Sequence, residues 1–142
     1  SYSRLKTQYA VIFFDIDHFK KVNDTYGHEC GDVVLSTFGK ILDKSTREID
    51  LVGRYGGEEF IAVVHFNLDR ELLQFLKRVK TIVTENSFIY QDKKLKITFS
   101  AGVTIRDKYQ TYDIALQKAD ALLYKAKESG RNKILLDNGI EI

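Results

Sequence analysis

The sequence predicts a mixed α/β (α+β) sandwich in which a central, mostly antiparallel sheet is flanked by helices. Two observations carry this reading. Stretches with helical apolar spacing alternate with short apolar runs of strand length, in the order β-α-α-β-β-α-β-β-α-β. In the middle, two strand-like runs meet across Gly56 and Gly57, a turn composition that favours a tight hairpin because primed turns need positive φ. A hairpin with helices on either side calls for antiparallel pairing and helices packed on the sheet.

Each element has its own warrant. QYAVIFFDID (8–17) is an apolar run of strand length that ends in two acids. DHFKKVNDTYG (17–27) is a short helix or turn closed by Gly27. From Glu29 to about Glu48, Val33, Val34, Phe38, Ile41 and Leu42 recur at helical spacing. DLVGRY (50–55) and EEFIAVVHF (58–66) are the two hairpin strands. Leu72, Leu73, Leu76, Val79, Ile82 and Val83 form one face of a helix with Asp69 as its N-cap. The β-rich run 87–105 divides into a short strand and a longer one. Ile114, Ala115, Ala119, Leu122, Leu123 and Ala126 mark a last helix that Gly130 ends, and KILLD (133–137) is a closing strand.

The totals bound the function. The 142 residues suit a single domain spanning 1–142, without linker, repeat or low-complexity stretch. Apolar residues make up 44% and charged residues 30%, an ordinary globular composition. A net charge of +2 offers no broad attraction to nucleic acid or to a membrane surface, so neither is expected as a partner. Cys30 is the only cysteine, which suits a small buried thiol in a reducing, cytoplasmic setting. The longest apolar run, YAVIFF (9–14), is too short to span a bilayer, and no signal peptide is visible. Methionine is absent even at position 1, so the chain reads as a piece of a longer protein, whose other parts could include a membrane anchor.

The chemistry concentrates where apolar strands stop. Asp15 and Asp17 stand at the end of the first strand, and Glu58 and Glu59 follow the glycine pair. If the two strands are neighbours, Asp15 and Glu58 meet at one sheet end. Clustered carboxylates repel, and a divalent cation is their natural counter-charge. Mg²⁺ favours a few carboxylates, waters and substrate phosphates. Glycines in the turn leave room for a nucleotide to lie over it.

RYGGEEF (54–60) resembles the signature of the GGDEF family, the diguanylate cyclases. DIDHFKKVNDTYGHECGD (15–32) is similar to that family's first conserved block, and KADALLYKAKESGRN (118–132) to its last. The blocks follow the family's order and span nearly the whole chain. The resemblance implies a palm-like nucleotidyl cyclase fold and condensation of two GTP into cyclic di-GMP with release of two pyrophosphates. The family's DxLTGLxNRR-like leading segment has no counterpart in SYSRLKTQ (1–8).

The resemblance also implies roles. Asp15, the Ile16 carbonyl and Glu58 would hold two Mg²⁺ ions per active site, with Mn²⁺ as a substitute, and Glu58 would take the 3′-hydroxyl proton. Asp17 and Glu59 would support them, by orienting a ligand or by binding metal. Asn23 and Asp32 resemble the guanine-binding pair, His28 a nucleotide contact, and Lys20, Lys127 and Arg131 the triphosphate cations. Backbone N–H groups around His18 and Phe19 would help cradle phosphate, beside Gly56 and Gly57. Arg47 and Asp50, in REID (47–50), match the spacing of the family's RxxD inhibitory site for cyclic di-GMP. Without the resemblance, Asn23 is equally a turn residue, Asp32 a helix N-terminal charge, His28 a surface histidine, and Lys127 and Arg131 favourable charges at a helix C-terminus.

The same resemblance implies a homodimer in which each 3′-hydroxyl attacks the partner's α-phosphate, under an upstream regulatory domain. The competing reading is a non-catalytic receptor for GTP or cyclic di-GMP, against which the intact GGEEF turn argues.

Overall fold

The computed structural model describes residues 8–85, 88–106 and 110–142. Eleven elements run in the order β1 (Gln8–Ile16), α1 (Phe19–Tyr26), α2 (His28–Ser45), β2 (Leu51–Gly56), β3 (Glu59–Phe66), α3 (Asp69–Glu85), β4 (Phe88–Tyr90), β5 (Lys93–Leu95), β6 (Phe99–Ile105), α4 (Tyr112–Glu128) and β7 (Ile134–Leu136). Five strands form one sheet in the order β2-β3-β1-β6-β7. β1 lies at its centre, antiparallel to β3 and β6, and only β7 runs parallel to its neighbour β6. The mostly antiparallel sheet flanked by helices is therefore as the sequence predicts.

Side chains of a strand alternate between faces. Ile12, Phe14 and Ile16 belong to the larger core, with Phe38 of α2, Leu76 of α3 and Phe60 and Phe99 from the neighbouring strands. Phe38 lies edge-on or tilted against Phe14, Phe60 and Phe99, at centroid separations of 6.0, 5.1 and 5.6 Å. Burying each such ring is worth roughly 1.5–3 kcal/mol relative to leaving it exposed. Val11 and Phe13 point the other way and pack with Ala115, Ala119 and Leu123 of α4. The sheet is thus covered by α2 and α3 on one face and by α4 on the other.

Four local expectations are corrected. The run 87–105 holds three strands rather than two, because Phe88–Tyr90 and Lys93–Leu95 pair as a separate hairpin. Its loop residues Gln91 and Asp92 both have positive φ, the conformation of a primed turn reached without glycine. α2 stops at Ser45, short of Glu48. Asp69 is the first residue of α3 rather than its flank. Glu71 in the first turn reaches back to the two residues before the helix, its carboxylate accepting from Asn67 N at 3.0 Å and Leu68 N at 2.7 Å. In the β2–β3 hairpin only Gly57 has positive φ, while Gly56 remains in the strand beside a register shift. The expectations placed on SYSRLKT (1–7) and on the start of the run at 86–87 lie outside the described residues.

Candidate active site

The register of β1 sets the site. Asp15 faces Glu59 of β3 on one side and Ser100 of β6 on the other. By strand alternation it shares the α4 face with Val11 and Phe13, at the end where the apolar run stops. The backbone of Glu58 closes the same edge, its carbonyl accepting from Ile16 N at 3.3 Å. The hairpin thus carries Glu58 and Glu59 to the end of β1. Both Asp15 and Asp17 are buried.

Helix α4 brings in the opposite charge. It seats closely because Ala115 and Ala119 face the sheet and Gly102 of β6 has no side chain: a Cβ there would meet Ala119 O at 2.0 Å and Leu123 N at 2.4 Å. The last turn of α4 then places Lys127 Nζ against Asp15 Oδ2 in a direct ion pair. The helix ends in a Schellman-type closure, with Arg131 N donating to Ala126 O at 3.0 Å across Gly130 at φ +118°. Arg131 and Asn132 also have positive φ, so the chain turns sharply back toward the sheet.

That turn explains Asp17. Its carboxylate accepts from Thr98 Oγ1 at 2.7 Å, Ser100 Oγ at 2.6 Å and Asn132 N at 2.9 Å. Three donors occupy it, and it ties the end of β1 to β6 and to the chain leaving α4. Asp17 is thereby a scaffold carboxylate that fixes where Asp15 and Lys127 meet.

A cleft of about 440 Å³ opens over this end of the sheet. Asp15, Ile16 and Glu58 line it together with the cations Lys20, Lys127 and Arg131. Asp17, His18 and Phe19 complete the wall, with Lys21 and Asp24, which the sequence reading did not assign. His18 stands at φ 56° just before α1, and the first residues of that helix line the cleft, leaving its first N–H groups at the cleft wall. Those groups have no intrahelical acceptor and favour an anion. Burial raises the Asp15 carboxyl to about 6; the Lys127 hydrogen bond and charge pull it down, and Glu58 and Glu59 push it further up.

Among the described residues no group of three or more His, Cys, Asp or Glu side chains converges. Two carboxylates beside open space and cations fit Mg²⁺, which binds through one or two carboxylates and takes the remaining ligands from water and phosphate.

The other predicted residues lie off this cleft. Asp32, on α2, lines a separate cavity of about 370 Å³ with Ser36, Gly39, Arg54 and Phe60. Asn23, on α1, leans over Gly31, where a Cβ would sit 1.9 Å from its Oδ1. That oxygen is buried without a hydrogen-bond partner. His28 is exposed at the start of α2, and Gly56 and Gly57 lie at the exposed hairpin, outside the walls of both cavities. Arg54 is held by Nε donating to Gly57 O at 2.9 Å. Arg54 lies within RYGGEEF, and it lines the Asp32 cavity because α2 packs beside β2.

Arg47 and Asp50 form a third locality. Asp50 is turned inward, accepting from Arg47 N and His65 N, each at 2.9 Å. Burial pushes its carboxyl up, but those N–H groups and the Arg47 guanidinium outweigh burial and hold it below the usual range. Arg47 is exposed and donates to His65 O. A cavity of about 230 Å³ beside it is also lined by Arg78 of α3, a second guanidinium that sequence spacing did not reveal.

Comparison with known proteins places this arrangement. The family described as diguanylate cyclase, GGDEF domain, matches residues 1–133. Diguanylate cyclase A of Treponema denticola is 37% identical over 132 residues, covering 92% of this chain and 36% of that protein. Diguanylate cyclase DgcZ of Escherichia coli is 38% identical over 125 residues, covering 88% of this chain and 42% of that protein. The chain therefore spans less than half the length of these curated relatives. Among solved structures, the GGDEF domain of DgcB from Caulobacter crescentus in complex with c-di-GMP superposes with a TM-score of 0.85 at 28% identity, covering 94% of this chain and 80% of that one. Diguanylate cyclase SiaD from Pseudomonas aeruginosa, in complex with its activator SiaC, gives 0.83 at 38% identity, covering 91% and 50%. With the match running over nearly its whole length, the chain belongs to the GGDEF domain family.

Proposed function

We propose that this domain is a diguanylate cyclase that condenses two GTP into cyclic di-GMP and two pyrophosphates. The observation that carries the reading is the convergence of Asp15 and Glu58 in one cleft with Lys20, Lys127, Arg131 and the start of α1. The triphosphate lies against the cations and the free N–H groups of α1. Asp15, the Ile16 carbonyl and Glu58 hold two Mg²⁺ ions, which when bound neutralise the phosphates and polarise the reacting oxygens. Glu58 accepts the proton of the attacking 3′-hydroxyl. The O3′–Pα bond forms as the Pα–O bond to pyrophosphate breaks, and the step occurs twice per product.

Guanine is held on the α1–α2 side by Asn23 and Asp32. A carboxylate accepts from N1–H and the exocyclic amine, and an amide donates to guanine's acceptors. Such polar groups disfavour adenine, which would leave them unpaired.

One cleft holds one nucleotide, so two domains face each other as a homodimer. Regulation comes from an upstream domain and from cyclic di-GMP held at Arg47, where Arg78 adds a second planar donor and Asp50 anchors the loop. The protein acts in the cytoplasm on soluble nucleotides; among the described residues no helix is long and apolar enough to cross a membrane.

Chromatography of products from GTP and Mg²⁺ tests the assignment. Cyclic di-GMP is the expected product, and Glu58→Ala lowers its rate about 10²–10⁴-fold with the fold retained. Nucleotide binding without turnover at any chain concentration would replace the enzyme with a receptor. Full activity in Glu58→Ala would remove that residue from the chemistry.

A further inference from the structure

Lys127 already neutralises the group that the reading above gives to a metal. Its Nζ pairs with Asp15 Oδ2, with the Asp15 side chain 5% exposed and that of Lys127 29% exposed. Among the described residues this is the ion pair that Asp15 makes; Arg131 and Lys20 line the cleft without pairing with it. A divalent ion and an ammonium held on one buried carboxylate repel each other, because the low local dielectric screens them poorly. A divalent ion that takes Oδ2 therefore displaces the lysine.

The cleft provides somewhere for it to go. Lys127 is a point charge on a flexible four-carbon stem, and it projects from the end of a helix into a space shared with Arg131 and the start of α1. A triphosphate lying there offers the ammonium a new anionic partner without a change of backbone. An arginine, with its planar fork, would exchange partners less freely.

We propose that Lys127 is a resident counter-ion that competes with the divalent cation for Asp15 and releases it when a nucleoside triphosphate arrives. Nucleotide and metal binding are then coupled through one side chain, and by linkage each strengthens the other. In the free domain the ion pair keeps two carboxylate-bearing strands from repelling one another and holds metal affinity low. This inference rests on the reading of Asp15 as a metal ligand.

Mn²⁺ binding to the whole chain, followed by electron paramagnetic resonance, tests it. Measurements are made without nucleotide and with α,β-methylene GTP. Lys127→Gln tightens nucleotide-free Mn²⁺ binding about tenfold, and the enhancement by the analogue shrinks by a similar factor. Arg131→Gln, which removes a cation of the same cleft without touching Asp15, changes nucleotide-free binding by no more than about twofold. Melting curves give a second readout: Mn²⁺ alone stabilises Lys127→Gln more than the parent chain. Unchanged or weaker Mn²⁺ binding in Lys127→Gln overturns the inference, as does an equal gain in Arg131→Gln, which would reduce the effect to net charge. Asp15→Asn added to Lys127→Gln separates the two ideas. Persistence of Mn²⁺ binding in the double variant overturns the ligand assignment itself. Loss there, with no tightening in Lys127→Gln alone, leaves Asp15 as ligand and removes only the counter-ion.

Discussion

Asp15 holds a carboxylate where folding alone would not choose one. It is buried, stands opposite Glu59, and is answered by one lysine. With its carboxyl raised from 3.8 to about 6, the native state holds a proton that the unfolded chain has already lost between those values. The stability that protonated Asp15 contributes is fully present below pH 3.8 and is lost as pH rises through about 6. A shift of about two units corresponds to at most about 3 kcal/mol. Metal-free melting curves should therefore show Asp15→Asn more stable than the parent at pH 7.5, with the advantage shrinking by pH 4.5. A parent chain that loses no relative stability across this window would show that Lys127 fully compensates the burial. Asp17 contrasts with its neighbour. Both aspartates are equally legible in the sequence, and both end up buried, but Asp17 meets three donors from segments more than 80 residues away. Nothing in DID distinguishes the two roles; only the partners do.

At the scale of elements, the seat of α4 on the sheet decides where the cations lie. Gly102 has an ordinary strand position, and its lack of a side chain is used to admit the backbone of α4. Gly102→Ala is expected to destabilise the fold by about 3 kcal/mol, since backbone rather than a flexible side chain would have to give way. The same change should weaken nucleotide binding, because a displaced α4 withdraws Lys127 and Arg131. Chemical denaturation with nucleotide titration of the folded fraction checks both, and a wild-type denaturation midpoint would mean α4 sits less closely than described. Element types were largely legible because apolar periodicity is local. β4 and β5 escaped because their turn, Gln91–Asp92, reaches positive φ with neither glycine nor asparagine. The start of α3 was misread because Glu71, the third residue of the helix, reaches back to the N–H groups of Asn67 and Leu68, so the helix begins at Asp69 rather than after it.

On the scale of the whole molecule, the carboxylates and cations meet in one cleft among the described residues, whereas the proposed condensation needs two nucleotides held face to face. Product formed per chain should rise with chain concentration and level off once dimers dominate. A rate per chain independent of concentration, in a chain that remains monomeric, would exclude a reaction shared between domains. The sequence by itself determined the fold class, the element order, and the presence of carboxylates at the ends of two apolar runs, because hydrophobic period and turn composition act over a few residues. It also carried the three blocks through which the chain is similar to its family. Only the tertiary structure decided that β1 lies between β3 and β6, which sets Asp15 opposite Glu59. It decided that Asp17 is a staple, that Lys127 reaches Asp15, and that Arg54 and Arg78 line cavities. Contacts of that kind join residues far apart in the chain, and their geometry depends on how closely helices seat on the sheet, a property of packed volumes that no local pattern encodes.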